Sequence, residues 1–354
     1  MAKFTQRLTL AARAAAAALS KGEIPPSLLT RPVRDIPPIS SEEVTEARSF
    51  FPMDKFFIYG HARSGTTLLT RLVRVHPAIH CNYQGHFFTR PPLLQGLVAD
   101  PEVGAWLVRR SNRWNRGQDL SPVVLRAVSD YIMERDARAV GKTIVGDKSP
   151  NSLLDGEAVR LLHKVYPDGR LIFIVRDGRD AAISHRFQAF IDIQHSLSSE
   201  DLHIRQEFAR EPEPFLNGQR SIFTEKGLRL AAQSWVHNVV ETDRAAQELY
   251  PGMYHSLRYE DLLRSSQVEM RKVWDFLLGK ASVNDEIATV ETLQALDQEL
   301  QRNPDADWQV QKAGEIALAV QKGKSGSWRN LMTPKDQQLF YEIAGGALDA
   351  WGFQ

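Results

Sequence analysis

The sequence predicts an α/β fold, a three-layer sandwich with a central, mainly parallel sheet and helices on both faces. Short apolar runs typical of buried strands alternate with stretches at helical spacing, and such alternation favours parallel pairing through right-handed crossovers. Groups of polar and charged residues come directly after three of these runs, where they follow Tyr59, Gly146 and Val175 in the sequence. Because ligands bind beyond the carboxyl ends of parallel strands, this placement predicts a single ligand site there.

The strands and helices follow from the apolar pattern. We expect strands at residues 56–59, 143–146, 171–175 and 253–257. We expect helices after them, starting near residue 65 and covering residues 153–165, 179–190 and 259–278. The pair His76-Pro77 ends the first of these helices, since proline disfavours continuation.

The composition limits domain organisation and partners. The 354 residues are 43% hydrophobic, enough for one large core. We expect an N-terminal helix and a proline-rich arm in residues 1–53, and one domain in residues 54–354 with a surface insertion at about 190–226. Lys and Arg number 44 against 43 Asp and Glu, which argues against nucleic acid as a partner. Cys81 is the only cysteine, which fits a cytoplasmic location, and no apolar run reaches the length of a membrane span.

A glycine-containing segment follows the first predicted strand and precedes a helix. It reads Gly60-His61-Ala62-Arg63-Ser64-Gly65-Thr66-Thr67. Two glycines five residues apart allow backbone N–H groups to point inward, and the helix N-terminus favours an anion. The segment is therefore P-loop-like, although Thr66 stands where a nucleoside triphosphatase has lysine, which argues against ATP hydrolysis. A plain glycine turn is the alternative.

The string R-S-G-T-T-L-L after an apolar strand resembles the 5′-phosphosulfate loop of sulfotransferases that use 3′-phosphoadenosine 5′-phosphosulfate (PAPS). The resemblance is to the bacterial and tyrosylprotein types, which carry arginine where cytosolic members carry lysine. It implies that the donor is bound by Arg63, Ser64, Gly65, Thr66 and Thr67. It further implies that Arg63 stabilises charge on the bridging oxygen as the sulfur departs.

Three further motifs resemble the same family. Arg176 and Ser184 match the 3′-phosphate motif, and a turn with a solvated ion pair is the alternative. Tyr259 matches a tyrosine that contacts adenine, with a core tyrosine at a helix start as the alternative. A glycine-rich loop that closes over the 3′-phosphate is matched by Lys322, Gly323 and Lys324.

The catalytic groups are only partly evident. By resemblance, Lys148 touches the sulfuryl oxygens. Pro150 replaces the histidine base of cytosolic members, and Gln84 replaces the glutamate of bacterial and tyrosylprotein members; neither can take a proton. His86 is the nearest replacement, and a structural role for it stays open. Two further base candidates are His185 and Asp147.

The resemblance implies transfer of a sulfuryl group from PAPS, without a metal, to a hydroxyl or amine of a small-molecule, glycan, lipid or peptide acceptor, with adenosine 3′,5′-bisphosphate (PAP) as product. A nucleotide-binding protein of the same fold without transfer activity is one alternative, and a P-loop kinase is a weaker one. The sequence leaves the acceptor and a homodimer open.

Overall fold

The computed structural model describes residues 35–89, 94–109, 111, 115, 117–150, 156–192, 197–279, 289–302 and 325–354. The chain divides into two compact units. One unit contains residues 1–37 and 94–121, and the other contains residues 38–93 and 122–354. No helix of the described ranges is long and apolar enough to cross a bilayer.

A sheet of five parallel strands forms the centre of the larger unit. The strands are β1 (Asp54–Tyr59), β2 (Ile79–Tyr83), β3 (Ile144–Lys148), β4 (Arg170–Val175) and β5 (Tyr254–Arg258). Their spatial order is β2-β3-β1-β4-β5. The predicted parallel α/β fold is confirmed. The four predicted strands are present, and β2 is a fifth that the apolar pattern did not indicate.

Helices connect and flank the strands. In chain order they are α1 (Ser41–Phe50), α2 (Thr66–Val73), α3 (Gln95–Ala99), α4 (Pro101–Leu107), α5 (Ser121–Ala139), α6 (Glu157–Val165), α7 (Gly178–Asp192), α8 (Ser199–Arg210), α9 (Glu213–Leu216), α10 (Glu225–Leu249), α11 (Tyr259–Arg264), α12 (Ser266–Leu278), α13 (Val290–Gln301), α14 (Trp328–Leu331) and α15 (Pro334–Ala350). The predicted single helix over 259–278 is two helices, α11 and α12, because the backbone leaves the helical conformation at Ser265.

The two faces of β1 pack into different helical layers, because successive side chains of a strand point to opposite faces. Phe56 and Ile58 belong to a buried cluster with residues of α2 and α12, including Trp274. On the other face the ring of Phe57 lies 4.9 Å from that of Tyr166, which follows α6. Burial of each such side chain contributes roughly 1.5–3 kcal/mol, so the cluster holds the loop after β1 in place.

A buried ionic cluster joins β1 to α5. The ammonium of Lys55 lies 2.8 Å from Oε1 of Glu134 and 3.4 Å from Oδ1 of Asp130, and all three side chains are at most 3% exposed. Burial raises the pKa of Asp130 against the opposing effect of Lys55. Asp130 also pairs with Arg126 and Glu134 with Arg138, so removing the lysine would take away the buried cation that the two carboxylates share.

The predicted N-terminal arm is described only at its end. Residues 1–34 lie outside the described part of the chain, so the N-terminal helix and most of the proline-rich arm stay predictions. Within residues 38–53, the Ile39 N–H donates to the carbonyl of Lys164 at 2.8 Å. Helix α1 starts with a capping box between Ser40 and Glu43. This end of the segment therefore packs with the larger unit.

The predicted insertion contains helices α8 and α9. Phe208 of α8 is buried, with its ring 5.3 Å from Phe187 of α7 and 5.6 Å from Phe215 of α9. Arg186 of α7 pairs with Asp201 of α8 at 2.6 Å. Residues 193–196 lie outside the described part. The segment is anchored to α7, and its relation to an acceptor stays a prediction.

Candidate functional site

The loop between β1 and α2 has the backbone that an anion site requires. Residues Arg63 and Gly65 both adopt left-handed conformations, with φ of 72° and 89°. The Ser64 N–H donates to the carbonyl of His61 at 3.1 Å, which closes the turn. The Ser64 hydroxyl is fully buried and has no hydrogen-bond partner within the described residues. Of the two glycines singled out in the sequence, Gly65 is left-handed, and the other left-handed residue of the loop is Arg63 and not Gly60.

Gly65 cannot be replaced without moving Tyr259. A Cβ at Gly65 would lie 2.2 Å from a ring carbon of Tyr259, well inside contact distance. The ring of Tyr259 is 5% exposed, and the guanidinium of Arg176 lies 4.9 Å from its centre. Tyr259 thus covers the loop and supports Arg176, so most of its ring is already packed by protein. Whether its edge also contacts adenine stays a prediction.

The second predicted anion motif lies directly against the first. Arg176 follows β4, and its guanidinium donates to the backbone carbonyl of Arg63 at 3.1 Å. The Nε–H of Arg63 in turn donates to the hydroxyl of Ser184, on α7, at 3.2 Å. The structure therefore brings Arg63, from the motif that resembles the 5′-phosphosulfate loop, into one connected group with Arg176 and Ser184, from the motif that resembles the 3′-phosphate site.

Arg176 begins the segment R-D-G-R-D, and residues 177–180 of this segment support the chain at the start of α14. Asp180 accepts hydrogen bonds from the backbone N–H groups of Gly326, at 2.6 Å, and of Trp328, at 3.0 Å. The guanidinium of Arg179 stacks 3.6 Å from the centre of a Trp328 ring and also pairs with Asp177 at 2.8 Å. The segment predicted to close over the 3′-phosphate, with Lys322, Gly323 and Lys324, lies outside the described residues.

Lys148 is the last residue of β3 and reaches the start of α2. Its ammonium donates to the hydroxyl of Thr67 at 3.2 Å and lies 5.3 Å from the ring of Tyr83. Only 1% of Lys148 is exposed. The order of the strands produces this contact, since β3 pairs with β1 and their carboxyl ends meet at one edge. A cation thus reaches the predicted phosphosulfate loop from β3.

The turn at residues 84–86 follows β2 and is attached to the end of β3. Gln84 and His86 have φ of 54° and 50°. The Gln84 N–H donates to the carbonyl of Lys148 at 2.6 Å. The Gly85 N–H donates to Oδ1 of Asp147 at 2.9 Å. The turn therefore lies beside Lys148.

Proton affinities at this end of β3 are shifted by burial. Burial raises the pKa of Asp147 from 3.8 to about 6, although hydrogen bonds from Ser149 and Gly85 lower it. Burial and the nearby charge of Lys148 lower the pKa of His86. His86 is therefore neutral at pH 7. Its Nδ1 lies 2.8 Å from the hydroxyl of Thr89. The tautomer of the imidazole decides which of these two groups donates the hydrogen bond.

A second histidine lies in the loop itself. The Nδ1–H of His61 donates to the carbonyl of Ala62 at 2.9 Å, and its Nε2 lies 3.4 Å from the hydroxyl of Ser234. Burial lowers the pKa of His61 to about 4. The loop therefore holds a neutral imidazole beside Arg63, which leaves the positive charge to the arginine.

A cavity of about 330 Å³ is lined by residues that include Asp177, Glu260, Trp328, Phe353 and Gln354, and Arg63, Arg176 and Ser184 are not among its lining residues. One carboxylate oxygen of Glu260 accepts from the Asp177 N–H at 3.1 Å. The other is buried without a partner among the described residues. The volume lies within the range of small-molecule sites.

Sequence reasoning missed three contributors to this region. The strand β2, with the sequence I-H-C-N-Y, lacks the continuous apolar run of the other strands. The anchoring role of Asp180 shows no local signal, because its partners lie about 146 residues further along the chain. The position of Ser149 between Asp147 and His86 depends likewise on the pairing of strands.

The comparison with models of protein families identifies one family. The model of the sulfotransferase family matches residues 55–279. No curated protein matches this chain.

Among solved structures, the chain is similar to mouse sulfotransferase SULT7A1 complexed with PAP, at 17% identity over 88% of this chain and 94% of that chain, with a TM-score of 0.44. It is similar to a sulfotransferase from Alicyclobacillus acidocaldarius at 18% identity, over 72% of this chain and 98% of that one, with a TM-score of 0.38. It is also similar to sulfotransferase STF9 from Mycobacterium avium, at 16% identity over 88% and 82%, with a TM-score of 0.40.

Proposed function

Because this chain belongs to the sulfotransferase family, we propose that it transfers the sulfuryl group of PAPS to a hydroxyl or amine of an acceptor and releases PAP. The observation that carries the proposal is the meeting of three cations at the start of α2. Arg63 lies in the loop, Arg176 donates to its carbonyl, and Lys148 donates to Thr67. Such a cluster suits a donor with anionic groups at both its 5′ and 3′ positions.

The residues present fit this donor. The buried hydroxyl of Ser64 has no partner within the described residues, and the loop backbone is left-handed at Arg63 and Gly65. We assign Arg63, Ser64, Gly65, Thr66 and Thr67 to the 5′-phosphosulfate. The N-terminus of α2 adds the positive end of its dipole.

The 3′-phosphate is assigned to Arg176 and Ser184. Ser184 accepts from Arg63 at 3.2 Å, so a ligand anion here would be shared between the two motifs. An adenine contact is assigned to the edge of Tyr259. Lys322, Gly323 and Lys324 keep the role that the family resemblance implies.

The donor supplies an activated sulfuryl group: the acceptor oxygen or nitrogen bonds to sulfur in line as the bond from sulfur to the 5′-phosphate oxygen breaks. Arg63 and Lys148 stabilise the negative charge on the sulfuryl oxygens and on the leaving oxygen. Arg63 acts by charge alone, since its pKa is too high for proton donation. The low exposure of Lys148 strengthens its interaction with charge that develops nearby.

We assign to His86 the role of the general base that removes the proton of the acceptor. Its imidazole is neutral at pH 7 and lies on the turn beside Lys148, which lowers its pKa. Asp147 is a poorer candidate, because its two carboxylate oxygens accept from Gly85 and Ser149 and only 2% of the residue is exposed. A His86→Ala variant should lose transfer, and a Gln84→Ala variant should keep it.

The test is transfer of labelled sulfate from PAPS across a panel of phenols, alcohols, amines, glycans and peptides. Calorimetry with PAP measures nucleotide binding separately. The proposal is supported if sulfate is transferred to at least one class of acceptor. Arg63→Ala should abolish this transfer, and the exposed control Arg229→Ala should retain it. Tight PAP binding without transfer to any acceptor would favour a binding protein instead. Turnover of ATP with magnesium would favour a kinase.

A further inference from the structure

Asp147 connects the end of β3 to two consecutive amides of the 84–86 turn. Its Oδ1 accepts from the Gly85 N–H at 2.9 Å. Its Oδ2 accepts from the hydroxyl of Ser149 at 2.7 Å, and that hydroxyl accepts from the His86 N–H at 2.8 Å. One carboxylate thus holds Gly85 directly and His86 through a single intermediate.

The turn is strained where the carboxylate holds it. In the described ranges, the non-glycine residues with positive φ are Arg63, Gln84 and His86. All three lie in the candidate site, and left-handed conformations of such residues persist only where surrounding contacts enforce them. A Cβ at Gly85 would lie 2.8 Å from Oδ1 of Asp147, so the close approach requires glycine.

The carboxylate cannot act on a substrate directly. Both of its oxygens already accept hydrogen bonds, and 2% of the residue is exposed. The ionisable groups that face it are Lys148, the hydroxyl of Tyr59 and the thiol of Cys81. Burial raises the pKa of Tyr59 and of Cys81, so both are neutral at pH 7. Any effect of Asp147 on the reaction must therefore pass through the groups that it holds.

We propose that Asp147 is a positioning residue that fixes the 84–86 turn, and with it the imidazole of His86, on the acceptor side of the site. This inference rests on the proposed function for its catalytic consequence. Ser149 transmits the constraint to His86, whereas Gly85 is held directly. The residues assigned to the nucleotide lie on the other side of Lys148. Hydrogen bonds of Arg63 and Arg176 hold them in place, so their position does not depend on this carboxylate.

Hydrogen exchange of the whole chain tests the placement without requiring activity. In Asp147→Ala, the amides of Gly85 and His86 should exchange at least about tenfold faster, because both lose their acceptor or its anchor. In Ser149→Ala, only the His86 amide should lose protection. Asp147→Asn keeps an acceptor oxygen and should restore most of the protection at Gly85. Unchanged protection of both amides in Asp147→Ala would overturn the inference.

Kinetics and calorimetry test the consequence. We expect kcat of Asp147→Ala to fall about 10- to 100-fold, with the Kd for PAP and the KM for PAPS within about twofold of wild type. Asp147→Asn should recover part of kcat, and the exposed variant Asp275→Asn should match wild type. If Asp147→Ala does not fold, the Asp147→Asn and Ser149→Ala variants provide the test.

An equal loss of PAP affinity and kcat would overturn the inference, because it would indicate a general structural role. Absence of transfer in wild type would refute the proposed function, and the exchange measurement would still decide the placement.

Discussion

Replacing Asp147 by asparagine should stabilise the protein at neutral pH while it lowers activity. The residue is 2% exposed, and burial raises its pKa from 3.8 to about 6 despite the hydrogen bonds that it accepts. Its ionised form is therefore less favourable in the folded protein than in the unfolded chain. That shift corresponds to about 3 kcal/mol of unfolding free energy at pH 7.

The sign of this effect determines its pH dependence. Well below pH 3.8 the carboxyl is protonated in both states and does not change the stability. As the pH rises through the folded-state pKa of about 6, the folded protein must give up a proton that it holds more tightly than the unfolded chain does, so the stability contribution of the protonated form is lost. Asparagine does not ionise. The stability advantage of Asp147→Asn should therefore grow between pH 4 and about 6.5 and then level off.

Urea unfolding of both proteins from pH 4 to 7.5 measures this difference. Subtraction removes the titration of groups that the proteins share, including His86 and the neighbouring Lys148. Asparagine changes the hydrogen bond with Ser149, which adds an offset that does not vary with pH. The exposed Asp275→Asn variant in α12 provides the matched control.

A difference that stays constant across the range would refute the reasoning, since it would mean that the carboxylate is not destabilised by burial. A difference that falls as the pH rises would show a pKa below 3.8 in the folded state. Either result would also remove the energetic argument that a buried charge is retained here for function at a cost in stability.

Four further predictions address the site and its support. Arg63→Ala should lower kcat about 100- to 1,000-fold and weaken PAP binding less, while Arg63→Lys keeps the charge and part of kcat, as steady-state kinetics would show. Gly65→Ala should weaken PAP binding at least about tenfold by calorimetry, since its Cβ would meet Tyr259 at 2.2 Å. Lys55→Met should cost about 3–5 kcal/mol in urea unfolding, because it removes the buried cation that Asp130 and Glu134 share. Cys81 should not react with iodoacetamide in the native protein, since it is fully buried and burial raises its thiol pKa.

Two of these predictions have a matched control within the chain. Gly346→Ala in α15 meets no atom within 4 Å and should leave PAP binding unchanged. Lys335→Met breaks an exposed pair with Glu225 and should change stability by less than about 1 kcal/mol. Equal effects of Lys55→Met and Lys335→Met would contradict the account of the buried cluster. Rapid native labelling of Cys81 would show that β2 opens readily.

The sequence predicted the fold well where local patterns are strong. β1 and β4 are continuous apolar runs and were found within two residues of their observed bounds. The strand β2 was missed because I-H-C-N-Y mixes polar and apolar residues in a strand at the edge of the sheet. An edge strand needs fewer apolar residues, since it has one neighbour instead of two.

For the candidate site, sequence patterns predicted the residue types and the motifs but not their mutual contacts. Arg63, Arg176 and Ser184 each stand in a recognisable motif, yet the hydrogen bond between Arg63 and Ser184 joins residues 121 positions apart. The sequence could not predict that this contact merges the two anion sites. It also listed Asp147 among the proton acceptors, whereas the structure shows both of its oxygens occupied.

By itself, the sequence determined the alternation of strands and helices, the P-loop-like turn and the identity of the charged residues at the strand ends. These depend on hydrophobic periodicity and on backbone freedom at glycine, which act over a few residues. The tertiary structure alone decided that Asp147 is buried beneath the 84–86 turn and that Asp180 holds Gly326 and Trp328. Those contacts arise because parallel pairing brings the carboxyl ends of distant strands to one edge, where solvent exclusion sets the proton affinity of each group.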